Sequence, residues 1–167
     1  MSVEMKPVRR ERENRERGST LVEFTLTLLP LLGLLMLTVD LAWAIFASAC
    51  IHEAVREGVR FAITSQVLSG YSGQDASIRA VVQNYSFGFI NDSNVATAVE
   101  IHYYVPTTLQ EVTGAGSNSG GNVIKVVVSG ISINPTVPIW RSSSPLILSA
   151  SSSDIMEPSP NGVAPKR

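Results

Sequence analysis

The feature that most constrains this chain is a stretch of 31 residues, Leu21–Ile51, which carries only two charged side chains, Glu23 and Asp40. About 20 helical residues cross the roughly 30 Å hydrocarbon layer of a bilayer. The Leu-rich part, Phe24–Ala49, holds one proline and one glycine, which membrane helices tolerate. The pattern predicts a membrane-spanning helix. The alternative is a buried helix of a soluble protein, although the stretch is long for a core helix.

The charges on either side of this stretch predict its orientation. Six of the 13 basic residues lie within residues 1–18, and no Lys or Arg follows until Arg56. Because positive charge is retained on the cytoplasmic side, the N-terminus is expected in the cytoplasm and the remainder outside it. The sequence therefore predicts a single-pass membrane protein.

A secretory signal peptide shares the basic start and the apolar run. The small residues Ala47-Ser48-Ala49 resemble a cleavage site, and Cys50 after them would carry the lipid in a lipoprotein. The apolar run, however, is longer than the usual roughly 7–15 residues of a signal peptide. Asp40 also interrupts it, and the helical pattern continues past Cys50. The sequence favours a retained helix, with a secreted or lipid-anchored protein as the alternative.

Beyond the apolar stretch the helical pattern continues as an amphipathic stalk as far as Thr64. One face carries charged residues at helical spacing, namely Glu53, Arg56, Glu57 and Arg60. Beside it, Ala54, Gly58 and Ala62 recur every four residues and form what we call the small-residue ridge. Such a ridge allows another helix to approach closely. The alternative is that the ridge packs against the chain's own domain.

The segment after the stalk predicts a small α+β domain. Asp75–Tyr85 has the pattern of a short helix with Ile78, Val81 and Val82 inward. Three segments have the alternation or β-branched content of strands: Thr97–Val105, Val123–Ile133 with a bend or bulge at Gly130, and Leu146–Met156. We expect these strands to form an antiparallel sheet packed on the outer half of the long helix.

The connecting segments are rich in glycine, serine and proline. Thr113–Asn122 predicts a flexible loop, and Asn134–Trp140, with two prolines, predicts a connector or an edge segment. The tail, residues 158–167, is expected to be disordered. The predicted organisation is a leader at residues 1–18, a membrane helix and stalk at 19–64, an exported α+β domain at 65–157 and this tail.

The sequence offers little material for catalysis or for a cofactor. It has a single cysteine and two histidines, and His52-Glu53 lacks the second histidine of a zinc protease helix because Arg56 occupies that position. No phosphate-binding glycine motif is present. We therefore expect no enzymatic activity, no cofactor and no metal site. Asp92, Glu100 and Asp154 would bind Ca²⁺ only if the fold brought them together.

Charge also bears on the class of partner. The formal net charge is −1 at pH 7. A nucleic-acid-binding domain normally carries a basic patch and a high isoelectric point. We therefore expect no nucleic-acid partner.

The boundary between the leader and the apolar helix reads Arg17-Gly18-Ser19-Thr20-Leu21-Val22-Glu23-Phe24. A charged leader ends in glycine, four uncharged residues follow, and a glutamate precedes the Leu-rich helix. This arrangement resembles the site at which a prepilin peptidase cuts type IV pilin-like proteins after the glycine. The resemblance implies cleavage between Gly18 and Ser19, which would leave Ser19 as the mature N-terminus.

Within that superfamily, residues 15–64 resemble the TadE family, the pseudopilins of tight-adherence pilus systems. The residues that carry the resemblance are Arg17, Gly18, Val22, Glu23, Phe24, Pro30, Asp40 and, within Glu53–Ala62, Ala54, Glu57, Gly58, Arg60 and Ala62. Two positions depart from the family pattern: Asp40 replaces the usual glutamate, and Val59 replaces the usual alanine. Beyond residue 65 the likeness is only general.

The resemblance implies a function. It predicts a minor pseudopilin of a tight-adherence (Tad/Flp) assembly or secretion system, with a structural role in pilus biogenesis and adhesion. Its expected partners are the bacterial inner membrane, a prepilin peptidase and other pilin or pseudopilin subunits in a hetero-oligomer. The alternative is a single-pass or lipid-anchored (Cys50) extracytoplasmic binding module.

The resemblance also suggests roles for the acidic residues of the helix. Glu23 would pair with the freed α-amino group of Ser19, on the same or a neighbouring subunit, and so set the register between helices; Phe24 belongs to the same assembly segment. The alternative for Glu23 is that it lies at the membrane surface and reaches water. Asp40 lies about 25 Å further along the helix, where either a partner contact or solvation near the outer headgroups is expected.

Overall fold

The computed structural model describes residues 8–135 and 145–167, with side chains from residue 19 onward. The elements, in chain order, are α1 (Val8–Ile63), α2 (Gln74–Tyr85), α3 (Val95–Ala98), β1 (Val99–Tyr104), β2 (Val123–Ile133) and β3 (Leu146–Ile155). The strands form one antiparallel sheet in the order β1-β2-β3. A long N-terminal helix and a small antiparallel sheet confirm the predicted α+β, pilin-like class.

Helix α1 contains 56 residues and joins the predicted membrane segment to the predicted stalk without interruption. Its threonine hydroxyls donate to carbonyls one turn back; Thr25 Oγ1, for example, lies 2.8 Å from the Leu21 carbonyl. Its backbone is helical from Val8, so residues 8–18 of the predicted leader continue directly into the apolar helix. Residues 1–7 of that leader lie outside the described residues.

The C-terminal end of α1 is capped by a residue of α2. Ser65 adopts a left-handed backbone conformation with φ 54°, which ends the helix. The buried side chain of Gln74 then donates from Nε2 to the Ala62 carbonyl over 2.8 Å, so this helix-terminal acceptor is satisfied by a side chain from the next helix.

The core lies between the outer half of α1, α2 and the sheet. Its fully buried side chains include Ile51 and Val55 from α1, Ile78 and Val82 from α2, and Val126 from β2. Alternate residues of β1 point inward as expected, because Val99 and Tyr103 are buried. The sheet thus covers one side of the stalk while α2 covers another.

Strand β2 is central, and its predicted bend is confirmed. The register with β3 shifts between Val128 and Ile131, and Gly130 at this point has φ 77°, a conformation that favours glycine. Strand β3 therefore follows β2 from the Leu146–Ile133 pair at one end to the Ile155–Val123 pair at the other.

These pairings define two ends of the α+β domain. At the near end, Pro135 and Leu146 lie beside Leu37 and Asp40 of α1. At the far end, the Glu157 amide donates to the Ile63 carbonyl over 3.2 Å. The near end is therefore the one next to the apolar part of α1.

Several sequence expectations differ in detail from the structure. The first two residues of the predicted strand Thr97–Val105 belong to α3, and Val81 is half-buried rather than inward. The third strand ends at Ile155, one residue early. Residues 134 and 135 of the predicted connector lie outside the strands, whereas the rest of Asn134–Trp140 lies outside the described residues.

Two segments expected to be flexible or disordered pack against the domain. In the loop Thr113–Asn122, Ser117 and Asn118 are buried. In the tail, residues 158–167, the Lys166 carbonyl accepts from the Gln74 amide over 2.7 Å. The reason is polar satisfaction: the far end of the domain contains buried donors and acceptors that only these segments reach.

Candidate functional site

Residues 21–46 of α1 present apolar side chains on all surfaces of the helix. The exposed large apolar residues from Leu21 to Phe46 are Leu21, Val22, Phe24, Leu26, Leu28, Leu29, Leu31, Leu32, Leu34, Leu35, Met36, Val39, Leu41, Trp43, Ile45 and Phe46. In the described chain, the part of α1 from Ser19 to Ile63 contains an 18-residue window with mean hydropathy 2.1, none of it buried. A continuous apolar surface of this size needs a lipid or protein cover. The helix is thus long and apolar enough to be a single-pass membrane anchor.

The predicted processing junction lies inside α1. Gly18 and Ser19 both have helical backbone, and Ser19 is exposed. Glycine within a helix costs roughly 0.5–1 kcal/mol relative to alanine, because it loses more backbone entropy. Unwinding the helix at this junction therefore costs little free energy. Hydrolysis requires such unwinding, because the peptide bond has to be accessible.

Glu23 and Phe24 follow this junction by about one turn. Both side chains are exposed, and the Glu23 carbonyl accepts from Thr27 Oγ1 over 3.0 Å. The carboxylate lies among exposed leucines, where a bilayer would make an uncompensated charge costly. The geometry leaves Glu23 accessible to a group from a neighbouring helix.

Asp40 lies at the near end of the α+β domain. Its side chain is half-buried and lines a cavity of about 220 Å³ together with five apolar residues: Leu37, Leu41, Ala44, Pro135 and Leu146. Glu23 and Asp40 are 17 residues apart, about 25 Å along a helix. The structure therefore places the two predicted assembly acids in different environments and does not bring them together.

The small-residue ridge lies in the core of the chain's own domain. Ala54 and Ala62 are completely buried, and a Cβ built on Gly58 would overlap Cγ2 of Val82 in α2. This agrees with the intramolecular alternative, because the ridge is covered by α2. The close approach that small residues permit is used within one subunit.

The charged face of the stalk remains at the surface. Glu57 and Arg60 form an ion pair of 3.7 Å at i, i+3 spacing, with the Arg60 side chain 78% exposed. Exposed pairs of this kind contribute about 0–1 kcal/mol. Glu57 and Arg60 are thus available for contacts with another molecule.

Cys50 is buried on the inner face of α1, and its thiol is free. Its neighbour His52 is exposed. The cysteine packs as a small apolar residue within the helix that supports the sheet. This position favours a structural role over lipid attachment.

Two features of the described domain were not anticipated from the sequence. The first is a polar network at the far end. Arg167 forms an ion pair of 2.9 Å with Asp75, and the Tyr103 hydroxyl donates to the other oxygen of that carboxylate over 2.8 Å. The Arg167 guanidinium also lies 4.6 Å from the Tyr103 ring centroid. Burial, together with the Asp75 carboxylate, raises the pKa of the Tyr103 hydroxyl well above its usual value.

This network continues through the buried loop. Asn118 Nδ2 donates to Gln74 Oε1 over 2.6 Å and to the Pro165 carbonyl over 2.9 Å. Arg167 Nη1 donates to Ser117 Oγ over 2.7 Å. The tail, the loop and α2 are therefore held together by charge-assisted and amide hydrogen bonds.

The second feature is a group of four aromatic side chains at the near end, which we call the aromatic cluster. Its members are Trp43 and Phe46 in α1 and Phe87 and Phe89 in the loop after α2. The Trp43 ring centroid lies 5.8 Å from that of Phe89, and the Phe46 centroid lies 6.1 Å from that of Phe87. The only local signal was the Phe-Gly-Phe sequence directly after a helix.

An acidic pair surrounds His102 on the exposed face of β1. His102 Nδ1 lies 2.7 Å from Glu111 and Nε2 lies 3.5 Å from Glu100. The hydrogen bond with Glu111, with a smaller contribution from Glu100, raises the pKa of His102 above 6.5. Among residues 19–135 and 145–167, no three His, Cys, Asp or Glu side chains are arranged to hold a metal ion. Asp92, Glu100 and Asp154 therefore do not meet in a calcium site.

The part of the chain that carries the predicted junction, both acids and two of the three ridge residues also has a family match. Residues 18–60 match the family model described as TadE, TadE-like protein. This segment is TadE-like. The match begins at Gly18 and ends at Arg60, which covers about a quarter of the chain and confirms the resemblance seen in the sequence. Comparisons with curated proteins and with solved structures gave no significant match.

Proposed function

We propose that the protein is a minor pseudopilin of a tight-adherence (Tad/Flp) pilus assembly or secretion system. A prepilin peptidase cuts after Gly18, the TadE-like helix anchors the product in a bacterial inner membrane, and the α+β domain lies on the outer side. The observation that carries the proposal is the TadE-like match on a helix whose residues 21–46 are largely apolar and exposed.

The role proposed is structural rather than catalytic. The exposed apolar residues 21–46 of α1 provide a long surface for neighbouring helices, and Glu23 near the start of this segment provides a charge for registration. An amine and a carboxylate attract each other strongly where water is scarce. We propose that Glu23 pairs with the α-amino group of Ser19 once the leader is removed, and that the partners are other pilin or pseudopilin subunits.

The test is to map the mature N-terminus of membrane-extracted protein, expressed with and without the candidate peptidase. We expect Ser19 as the first residue only when the peptidase is present. The Gly18→Val variant should keep the leader, because a β-branched side chain obstructs the junction. Gly33→Val, which changes a glycine with open space around it, is the matched control and should be cut normally.

Two other results would overturn the proposal. A mature protein that begins with a lipid-modified Cys50 would show a lipoprotein, although Cys50 is buried within α1. A functional protein that retains Met1 or Ser2 would show a simple single-span anchor that carries a binding module.

A further inference from the structure

We infer that the aromatic cluster is a lipid-binding surface, which seats the near end of the exported domain on the outer leaflet of the membrane. The inference rests on the proposed membrane span and goes beyond it, because it assigns a lipid contact to the domain itself. The surface is formed by Trp43 and Phe46 of α1 and by Phe87 and Phe89 of the loop Ser86–Ile90.

The depth of the cluster follows from helix geometry. Trp43 lies 20 residues beyond Glu23, a distance of about 30 Å along α1, which equals the usual thickness of the hydrocarbon layer. With Glu23 at the inner boundary, Trp43 and Phe46 therefore reach the outer boundary. Tryptophan and other aromatic side chains are favoured at that level.

The loop brings apolar side chains from the domain to the same level. Phe87 is 78% exposed, Trp43 is 53% exposed and Phe46 is 46% exposed, so the ring contacts among them leave much of each ring uncovered. No charged residue occurs within Ser86–Ile90. Trp43 and Phe46 follow the exposed leucines of α1 along the same helix, and the cover of those leucines is lipid in the proposed function.

The backbone of the loop holds Phe87 outward at an energetic cost. Phe87 has φ 53°, which is rare for a bulky residue and costs about 1 kcal/mol or more. The conformation is fixed from within the loop, because Ser86 Oγ accepts from the Ile90 amide over 3.1 Å and donates to the Gln83 carbonyl over 2.7 Å. This loop geometry keeps the Phe87 ring at the surface beside Phe46.

The chain offers a matched control for this residue. Leu109 also has φ 53° and is 71% exposed, but it lies in the connection between β1 and β2, at the far end of the domain. Exposure and strain are therefore nearly the same at the two positions, and the expected depth differs. A lipid contact should be seen at Phe87 and not at Leu109.

The experiment uses the full chain in phosphatidylcholine vesicles, with Trp43 and Trp140 replaced by phenylalanine. Single tryptophans are then introduced by Phe87→Trp, Leu109→Trp and Leu34→Trp. Each protein is measured with lipids brominated close to the ester carbonyl or close to the terminal methyl. Circular dichroism and resistance to protease establish that each variant is folded.

Phe87→Trp should lose roughly half of its fluorescence with the shallow bromines, as expected for a ring at the interface. Leu109→Trp should lose none, and Leu34→Trp, at the middle of the span, should be quenched by the deep bromines. If Leu34→Trp is quenched and Phe87→Trp is not, the lipid contact of the aromatic cluster is overturned while the membrane span stands. This result would indicate that protein covers the cluster. Unquenched Leu34→Trp would overturn the membrane span and the lipid contact with it.

Discussion

The backbone of Gly58 in α1 lies directly against the Val82 side chain of α2, with no room for a Cβ between them. We predict that Gly58→Ala destabilises the domain. Alanine gains up to about 1 kcal/mol of helix propensity, whereas overpacking a filled core costs about 1–3 kcal/mol. Val82 is completely buried and β-branched, so it cannot rotate away, and we expect a net loss of about 1 kcal/mol.

The measurement is urea unfolding of the detergent-solubilised protein. The double variant Gly58→Ala, Val82→Ala should lose less stability than the sum of the two single changes, because the smaller side chain relieves the overlap. Gly33→Ala, with open space around its Cβ position, is the control and should not lower the unfolding midpoint. Additive effects of the two core substitutions would contradict the contact.

The ion pair between Arg167 and Asp75 predicts that the tail stabilises the domain. Their side chains are only 25% and 16% exposed, and the same carboxylate accepts from Tyr103. Arg167→Ala should therefore lower the unfolding free energy by roughly 1.5–3 kcal/mol, the range for a hydrogen bond with a charged group. Arg60→Ala, which removes the exposed pair with Glu57, should cost less than about 1 kcal/mol. Equal losses for the two arginines would show that the tail contact contributes nothing beyond surface charge.

We predict that substitution of Glu23 impairs assembly but leaves cleavage of the leader unaffected. Glu23→Leu should be cut after Gly18 as in the parent protein, yet it should enter the assembled complex less efficiently because the registering charge is gone. Cross-linking followed by gel analysis of membrane fractions measures incorporation, and N-terminal mapping measures cleavage. Thr27→Val, one turn away on the same helix, is the control. Full incorporation of Glu23→Leu would end the registration hypothesis.

The cluster around His102 predicts a dependence of stability on pH. Because Glu111 and Glu100 raise the folded-state pKa of His102, its protonated form stabilises the fold. This contribution is fully present below the unfolded-state pKa, near 6.5, and is lost as pH rises through the higher folded-state pKa.

Denaturant unfolding of the parent and of His102→Gln, at several pH values between about 5.5 and 8.5, measures this dependence. The parent should become less stable toward high pH, and His102→Gln should show a smaller decline. His52→Gln, which leaves the His102 cluster untouched, controls for the other histidine. If stability declined equally with rising pH in the parent and in His102→Gln, deprotonation of His102 would not be the cause.

The elements of this fold could be predicted because their signals are local. The apolar run of α1 and the alternation of Val99, Ile101 and Tyr103 are visible within a few residues of sequence. Gly130 marked the bend in β2 because an isolated glycine within a strand pattern indicates a bulge. In each of these cases one segment is enough to specify the structure.

The features that were missed depend on residues far apart in the chain. Arg167 and Asp75 are separated by 92 positions. The sequence next to either residue gives no sign that the two side chains form an ion pair. The tail looked disordered because prolines and polar side chains dominate it, whereas its contacts satisfy buried groups of α2 and the loop. The aromatic cluster likewise joins α1 to a loop more than 40 residues later.

The candidate site was predictable to different degrees along α1. Glu23 and Asp40 are marked by charge within the apolar stretch, whereas the Gly18–Ser19 junction and the assembly roles of the two acids were predicted from the resemblance to pilin-like proteins. The role of the small-residue ridge stayed open because the spacing of Ala54, Gly58 and Ala62 suits contact with any helix. Only the position of Val82 shows which helix lies there.

In the described chain, α1 continues as one helix from its apolar residues 21–46 to the buried ridge, so no loop separates the sheet from the apolar segment. Because the sheet is packed on α1, a displacement of the helix along the bilayer normal moves the sheet by an equal distance. A tilt of the helix likewise turns the whole domain through the same angle. The orientation of the sheet relative to a membrane is therefore set by the depth and tilt of α1.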